Sequence, residues 1–440
     1  MTDSTITKVH ARRVWDSRGN PTVEVEVETA SGRMGRAIAP AGASRGTREA
    51  SDLRDGGAKL GGMDVQTAVA NVNSLIAPAL IGQEAIDQAG VDATLIGLDG
   101  TPLKSRLGGN AMVATSLAVL HAGAAAGQLP LWQHIASISD QTPTIPLPEI
   151  QIFGGGAHAG RRVDVQDFMV MVPGAASFDE AMEVTSEIYR AAGSIMRQRG
   201  HSVGVADEGG WWPVFDSNEQ ALDTLMQAIE AAGEKPGDRV VISLDIAASE
   251  FGRHGRYRLA LENRELDRDQ MIALLGGWLD SYPIASIEDP LAEDDPEGMI
   301  AFSKAYGDRV QIIGDDYLVT NARLVNQAMR AGACNAALIK VNQAGTVTES
   351  MLCMATAQAA GYRCIVSARS GETEDTSISH LAVGLNAGQL KVGSITRSER
   401  MAKWNECLRI AEALPRAAFV GGAPLANTWW GRAQRVPSAV

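Results

Sequence analysis

The chain has 440 residues, 45% hydrophobic and 21% charged, enough for one large domain with ample core and a smaller one beside it. Its formal net charge is −13 and its pI about 5.1. A net-acidic surface attracts neither nucleic acid nor an anionic membrane, though it still allows a local basic pocket for a small anion.

The first residues, MTDSTITKVHARRVWDSRGN, lack the apolar core of a signal peptide, and no stretch reaches transmembrane length. A cytoplasmic location is expected. The four cysteines, Cys334, Cys353, Cys364 and Cys407, show no paired spacing and read as reduced, buried thiols. TVEVEVETASGRMGRAIAP alternates apolar and polar residues around a Ser-Gly turn and predicts an antiparallel hairpin. DVQTAVANVNSLIAPALIG and NAMVATSLAVLHAGAAAG then carry helical periodicity. The Pro-rich DQTPTIPLPEI marks a boundary, which predicts an α+β domain over residues 1–138 and a second domain over 139–440.

Beyond the boundary, short apolar runs end in polar residues and lead into helical stretches. VVISL ends at Asp245, IASI at Glu288, VQIIG at Asp315, AALI at Lys340, CIV at Ser367 and GQL at Lys391. The four steps between the last five of these positions are 27, 25, 27 and 24 residues, the length of a strand, a helix and two loops. Serial βα units predict a parallel sheet, here a (β/α)8-type barrel. The rival, an open doubly wound sheet, lacks its GxGxxG after the first strand.

Barrel enzymes work at the C-terminal ends of their strands. Three successive ends supply Asp245, Glu288 and Asp315. Converging carboxylates repel one another, and a hard cation with oxygen ligands, Mg²⁺ above all, resolves this. Solvated loop acids are the plainer alternative for any one of them. Lys340 and Lys391 follow, suggesting an anionic substrate with one lysine binding and one reacting at a lowered pKa. Arg369 and Ser370 suit a phosphoryl group. Glu208, beside Gly209 and Gly210 in DEGGWWP, is either a proton donor on a flexible loop or a turn residue.

These motifs resemble the enolase family. DSRGNPTVEVEV, LDGTPLKSRLGGNAM, GGGAHAGRRVDVQDFM, DEGGWWP, LDIAASEF, SIEDPLAEDD, GDDYLVTN, LIKVNQAGTVTE, RSGETEDT and RSERMAKWNECLRI occur in the family's order and cover nearly the whole chain. The resemblance implies an α/β fold, a modified (β/α)8 barrel under an N-terminal α+β capping domain. It implies a Mg²⁺-dependent dehydratase of a 2-phosphoglycerate-like acid, with two Mg²⁺ per site and a homodimer. By position, Asp245, Glu288 and Asp315 would bind the first Mg²⁺ and Ser44 the second. Lys340 would take the C2 proton, and Glu208 would protonate the leaving hydroxyl. Lys391 would hold the carboxylate. His158, Arg369 and Ser370 would contact the phosphoryl end.

The chain departs from the family at particular places. Enolases write SHRSGETED where Ala368 stands here, and SGAST where AGASR gives Ala41 and Arg45. Gly154 replaces an asparagine, and Asp167 replaces the glutamate that supports the acid. Trp211 and Trp212 follow the Glu208 loop, and Pro296 replaces a tryptophan. By the resemblance, positions 41, 45, 154, 167 and 368 line or support the pocket while metal ligands and lysines are kept. Ala368 and Gly154 would add room, and Arg45 a planar cation suited to a carboxylate. A larger, more anionic substrate is therefore expected, a carboxyphosphono analogue of 2-phosphoglycerate as in phosphinothricin-type biosynthesis. The alternatives are the ordinary enolase reaction and a non-catalytic binding homologue.

Overall fold

The computed structural model describes residues 3–201 and 204–435. The chain opens with an antiparallel sheet of β1 (Ile6–Trp15), β2 (Pro21–Thr29) and β3 (Met34–Ile38). The predicted hairpin is β2–β3, paired from Glu24 opposite Ile38 to Glu28 opposite Met34. Val23, Val25 and Val27 are fully buried on one face, while Arg12 reaches Glu24 and Glu26 on the other. The helix Gly109–Ala126 covers the valine face and is buried almost all round, which explains its uniformly apolar sequence. A Cβ on Gly35 would lie 2.2 Å from the Ala118 carbonyl oxygen of that helix, so only glycine fits. The other predicted helix runs from Gln66 to Leu80 with a wide turn over Val72–Ile76.

A closed barrel follows. Its strands are β4 (Leu147–Gly154), β5 (Asp167–Met171), β6 (Val241–Asp245), then β10 (Ile284–Glu288), β11 (Gln311–Gly314), β12 (Ala336–Ile339), β13 (Arg363–Ser367) and β14 (Gly388–Gly393). Between β6 and β10 lies a small side sheet of β7 (Gly252–Arg253), β8 (Arg256–Leu259) and β9 (Arg264–Asp267). Closure excludes the open sheet. The barrel is not wholly parallel, however: β5 runs against both β4 and β6. A return strand needs no crossover helix, so counting βα units could not find it.

The capping domain is bonded to the barrel mouth. Ala41 and Gly371 exchange backbone hydrogen bonds of 2.9 and 2.8 Å. The Asp92 carboxylate accepts from the Thr348 amide and hydroxyl at 2.9 and 2.6 Å. The four cysteines are free and buried, and burial pushes the Cys353 and Cys407 thiols up to about 12. Among the described residues no single helix is long and apolar enough to cross a membrane.

Candidate active site

Asp245 and Glu288 close β6 and β10, Asp315 and Lys340 follow β11 and β12, and Lys391 lies in β14. The parallel strands bring them to one mouth. Asp167 reaches the same mouth from the opposite direction, because it opens the reversed strand β5 opposite Asp245. A small cavity lies there. Ser44, His158, Glu208, Ala368, Arg369 and Ser370 line it. So do Asp167, Asp245 and both lysines, while Glu288 and Asp315 sit beneath, bonded to a lysine.

The lysines stand among the acids. Lys391 Nζ donates to Asp245 at 2.9 Å and to Glu288 at 2.8 Å, with Asp167 at 3.5 Å. Lys340 Nζ donates to Asp315 Oδ2 at 2.5 Å. Burial pushes the Lys340 pKa down, but among its protein neighbours Asp315 and Glu288 together outweigh burial and hold the ammonium above its ordinary range, the opposite of the direction expected beside a bound cation. Lys391 is raised far more, with burial outweighed by Asp245, Glu288 and Asp167. Glu288 goes the other way: burial, then Asp245, push its carboxyl well up.

This donor set fits a divalent cation. Glu288 Oε1 is buried and accepts no hydrogen bond among the described residues, and its neighbours are oxygen ligands of like charge. Asp245, Glu288 and Asp315 would hold one ion. Ser44 would serve a second, its hydroxyl linked through Gln166 Nε2 to Asp245, at 3.4 and 3.2 Å.

On the acid side, His158 bridges two carboxylates. Its Nδ1 lies 2.9 Å from Asp167 Oδ1 and its Nε2 3.7 Å from Glu208 Oε1. Burial would lower its pKa, but Asp167 and Glu208 raise it to about 9. Asp167 thus supports His158 directly, and Glu208 only through it. The Glu208 loop is pinned rather than flexible. The Ala206 amide donates to the Gly210 carbonyl at 2.7 Å, and Tyr189 Oη to the Gly209 carbonyl at 2.9 Å. A Cβ on Gly209 would meet the Thr396 carbonyl at 2.7 Å, and its φ is +94°. Trp211 stacks on Tyr189 with centroids 4.8 Å apart, so it fills a packing slot.

Two predicted pocket residues lie elsewhere. Gly154 opens no space: a Cβ there would be 2.6 Å from Ala206 Cβ and 3.1 Å from Gln151 Oε1, so neighbours already fill the gap. Arg45 points away from the cavity. It donates to the Ala50 carbonyl at 3.0 Å and lies near Glu49 and Asp52, its side chain 38% exposed. Acidic neighbours on its own loop attract it there. Ala368, in contrast, does line the cavity, its amide donating to the Lys391 carbonyl at 2.9 Å.

Several residues that shape the site carry no signal of their own in the sequence. Glu49 pairs with the buried Arg369 at 2.9 Å, which also donates to the Ser44 carbonyl at 2.9 Å. Arg400, fully buried, donates to the carbonyls of Arg369 and Ser370 at 2.6 and 2.5 Å. Gln151 donates to Asp167 and accepts from the Gly210 amide at 2.9 Å. Polar residues inside quoted motifs (Gln166 beside Asp167, Arg400 in RSERMAKW) were the only available hint.

A barrel mouth that interleaves lysines with carboxylates has the groups an acid–base enzyme needs. Residues 142–428 match the family described as Enolase, C-terminal TIM barrel domain, and residues 6–135 match Enolase, N-terminal domain. The chain belongs to the enolase family, whose general chemistry is Mg²⁺-dependent dehydration, a hydro-lyase reaction.

Proposed function

We propose that the chain dehydrates a 2-phosphoglycerate-like acid carrying a further carboxyl group on phosphorus, forming carboxyphosphonoenolpyruvate. This is the activity of carboxyphosphonoenolpyruvate synthase in phosphinothricin-type pathways. The observation that carries the reading is Ala368, a methyl group lining the cavity next to Arg369, where the family writes histidine. It leaves room beside the residues suited to the phosphorus end, Arg369 and Ser370.

Lys340 takes the C2 proton as the neutral amine, the form it would reach once a cation rather than its own ammonium held Asp315, and the electron pair forms the double bond to C3. The C3–O bond breaks, and Glu208 protonates the departing hydroxyl, so one water leaves. Lys391 holds the substrate carboxylate, on which a second negative charge develops. When bound, Mg²⁺ supplies positive charge against that carboxylate and against the crowded acids. His158, Arg369 and Ser370 hold the phosphorus end. The substrate is a small anion, and a homodimer remains the proposed assembly.

The ordinary enolase reaction is the second reading. It is favoured by Arg45 and Gly154, which lie off the cavity and so contribute neither charge nor room. The deciding experiment compares kcat/KM of the purified protein for 2-phosphoglycerate and for its carboxyphosphono analogue. A clear preference for the analogue supports the first reading, and turnover of 2-phosphoglycerate alone overturns it.

A further inference from the structure

We propose that Val319 and Thr320 form a strained corner that positions Lys340 for proton abstraction, through the Thr320 hydroxyl. The inference rests on the role of Lys340 given above. Both residues have positive φ, 43° for Val319 and 51° for Thr320. Branching at Cβ makes that conformation costly, so it persists only where the surroundings enforce it. Two such residues in succession are more than a turn requires, since glycine or asparagine would form one without strain.

The surroundings do enforce it. The Val319 amide donates to the Asp315 carbonyl at 2.7 Å. The Val319 side chain packs on the loop that carries Ser44, where a Cβ on Gly46 would lie 2.8 Å from Val319 Cγ1. Thr320 is buried. Its hydroxyl donates to Gln343 Oε1 at 2.7 Å and accepts the Lys340 backbone amide at 2.9 Å. Gln343 Nε2 donates to Asp315 Oδ1 at 2.8 Å, and Lys340 Nζ to Asp315 Oδ2 at 2.5 Å. The four residues close a ring: Thr320 to Gln343, Gln343 to Asp315, Asp315 to the Lys340 ammonium, and the Lys340 backbone amide back to Thr320.

The ring fixes Lys340 at both ends. Thr320 anchors its backbone where β12 stops, and Asp315, itself held by Gln343, receives its ammonium. Only a hydroxyl can donate and accept at that point, and valine of the same shape can do neither. Helix capping does not explain the corner, because Asn321 caps the helix Ala322–Ala331 with its own side chain. Thr320 does not line the cavity, so it is a positioning residue.

The test follows C2 hydrogen loss by NMR in deuterated water, with 2-phosphoglycerate and the carboxyphosphono analogue each supplied. Wild type, Thr320→Val, Thr320→Ser and Lys340→Ala are compared, with KM and the thermal midpoint for each. Thr320→Val is expected to lower the maximal exchange rate at least ~10-fold with KM within ~3-fold, as for misplacement of a reacting group. Thr320→Ser, which keeps the hydroxyl, restores exchange. In metal-free protein the Lys340 amide should exchange faster in Thr320→Val than in Thr320→Ser. If Thr320→Val does not fold, Gln343→Met opens the same ring at another corner, and the same loss of exchange is expected. Exchange kept by Thr320→Val (or, in its place, by Gln343→Met) but lost by Lys340→Ala overturns the positioning inference alone. Exchange kept by Lys340→Ala overturns the base assignment and the inference with it.

Discussion

Asp167 and Asp245 stand opposite each other on β5 and β6, the first opening its strand and the second closing its own. The reversal of β5 makes this pairing and gathers a third acid around one ammonium, with Lys391 Nζ 3.5 Å from Asp167. Asp245 and Glu288 therefore share one buried ammonium, while Asp167 lies between it and the nearer His158.

Lys391→Met is accordingly expected to destabilise the metal-free protein by about 3–5 kcal/mol, since it strands buried charges without a partner. Mg²⁺ should then raise the thermal midpoint of the variant more than that of wild type. Thermal scans with chelator and with Mg²⁺ measure both effects. Equal Mg²⁺ responses in the two proteins would show that these acids do not share the ion.

Proton removal and hydroxyl loss are assigned to different elements, β12 and the Glu208 loop. Lys340→Ala should abolish C2 exchange, whereas Glu208→Gln should keep exchange and lose dehydration. Asp315→Asn should cost at least ~100-fold in turnover, beyond the loss of an outer-shell partner, with the fold retained. Exchange by NMR and product formation by absorbance separate these outcomes. Loss of exchange in Glu208→Gln would contradict the division of labour.

The strand ends were legible because each apolar run stops at a charged residue, and Asp245, Glu288 and Lys340 lie at strand ends as the pattern requires. The reversed strand was not. DFMVM reads as any buried strand, and its direction is set by pairing with β4 and β6, which no local pattern encodes. For the same reason Asp167 could be placed near the site only by resemblance. The directions of Arg45 and Gly154 were also beyond reach, because acids on its own loop attract the one and the Gln151 amide fills the space beside the other. Glutamines such as Gln151, Gln166 and Gln343 act through partners far along the chain, and composition alone gives them no signature.

Gln151 ties Asp167 to the loop of Glu208, so its loss should be felt on the acid side. Gln151→Met leaves the buried Gly210 amide unpaired, at a cost of about 1–3 kcal/mol. It should reduce dehydration more than C2 exchange, because Lys340 is untouched. Gly154→Asn should destabilise by about 1–3 kcal/mol through overpacking against Ala206 and Gln151. Denaturant unfolding reads the stabilities. An unchanged ratio of dehydration to exchange in Gln151→Met would remove its positioning role.

The His158–Asp167 pair sets a pH window. Asp167 and Glu208 raise His158 from 6.5 to about 9, so the protonated imidazole stabilises the fold fully below pH 6.5. That contribution is lost as pH rises through about 9. Asp167 is held well below its usual range, with burial outweighed by His158, so its share is lost only in acid. The thermal midpoint of wild type relative to His158→Asn should therefore be greatest near pH 6 and shrink toward pH 9.5. A constant difference across that range would place the His158 pKa elsewhere.

The proposed substrate choice turns on position 368, which lines the cavity beside Arg369. Ala368→His should overpack the larger substrate by about 1–3 kcal/mol, roughly 5- to 150-fold in kcat/KM, and affect 2-phosphoglycerate less. Arg45→Thr should change either substrate by no more than about 5-fold, because the guanidinium is partly exposed and lies 3.9 to 4.0 Å from the acids on its own loop, off the cavity. The two substitutions thus separate room from charge. A larger effect at Arg45 than at Ala368 would mean that the loop turns its guanidinium inward when substrate binds. An unchanged substrate ratio in Ala368→His would show that position 368 does not set the substrate choice.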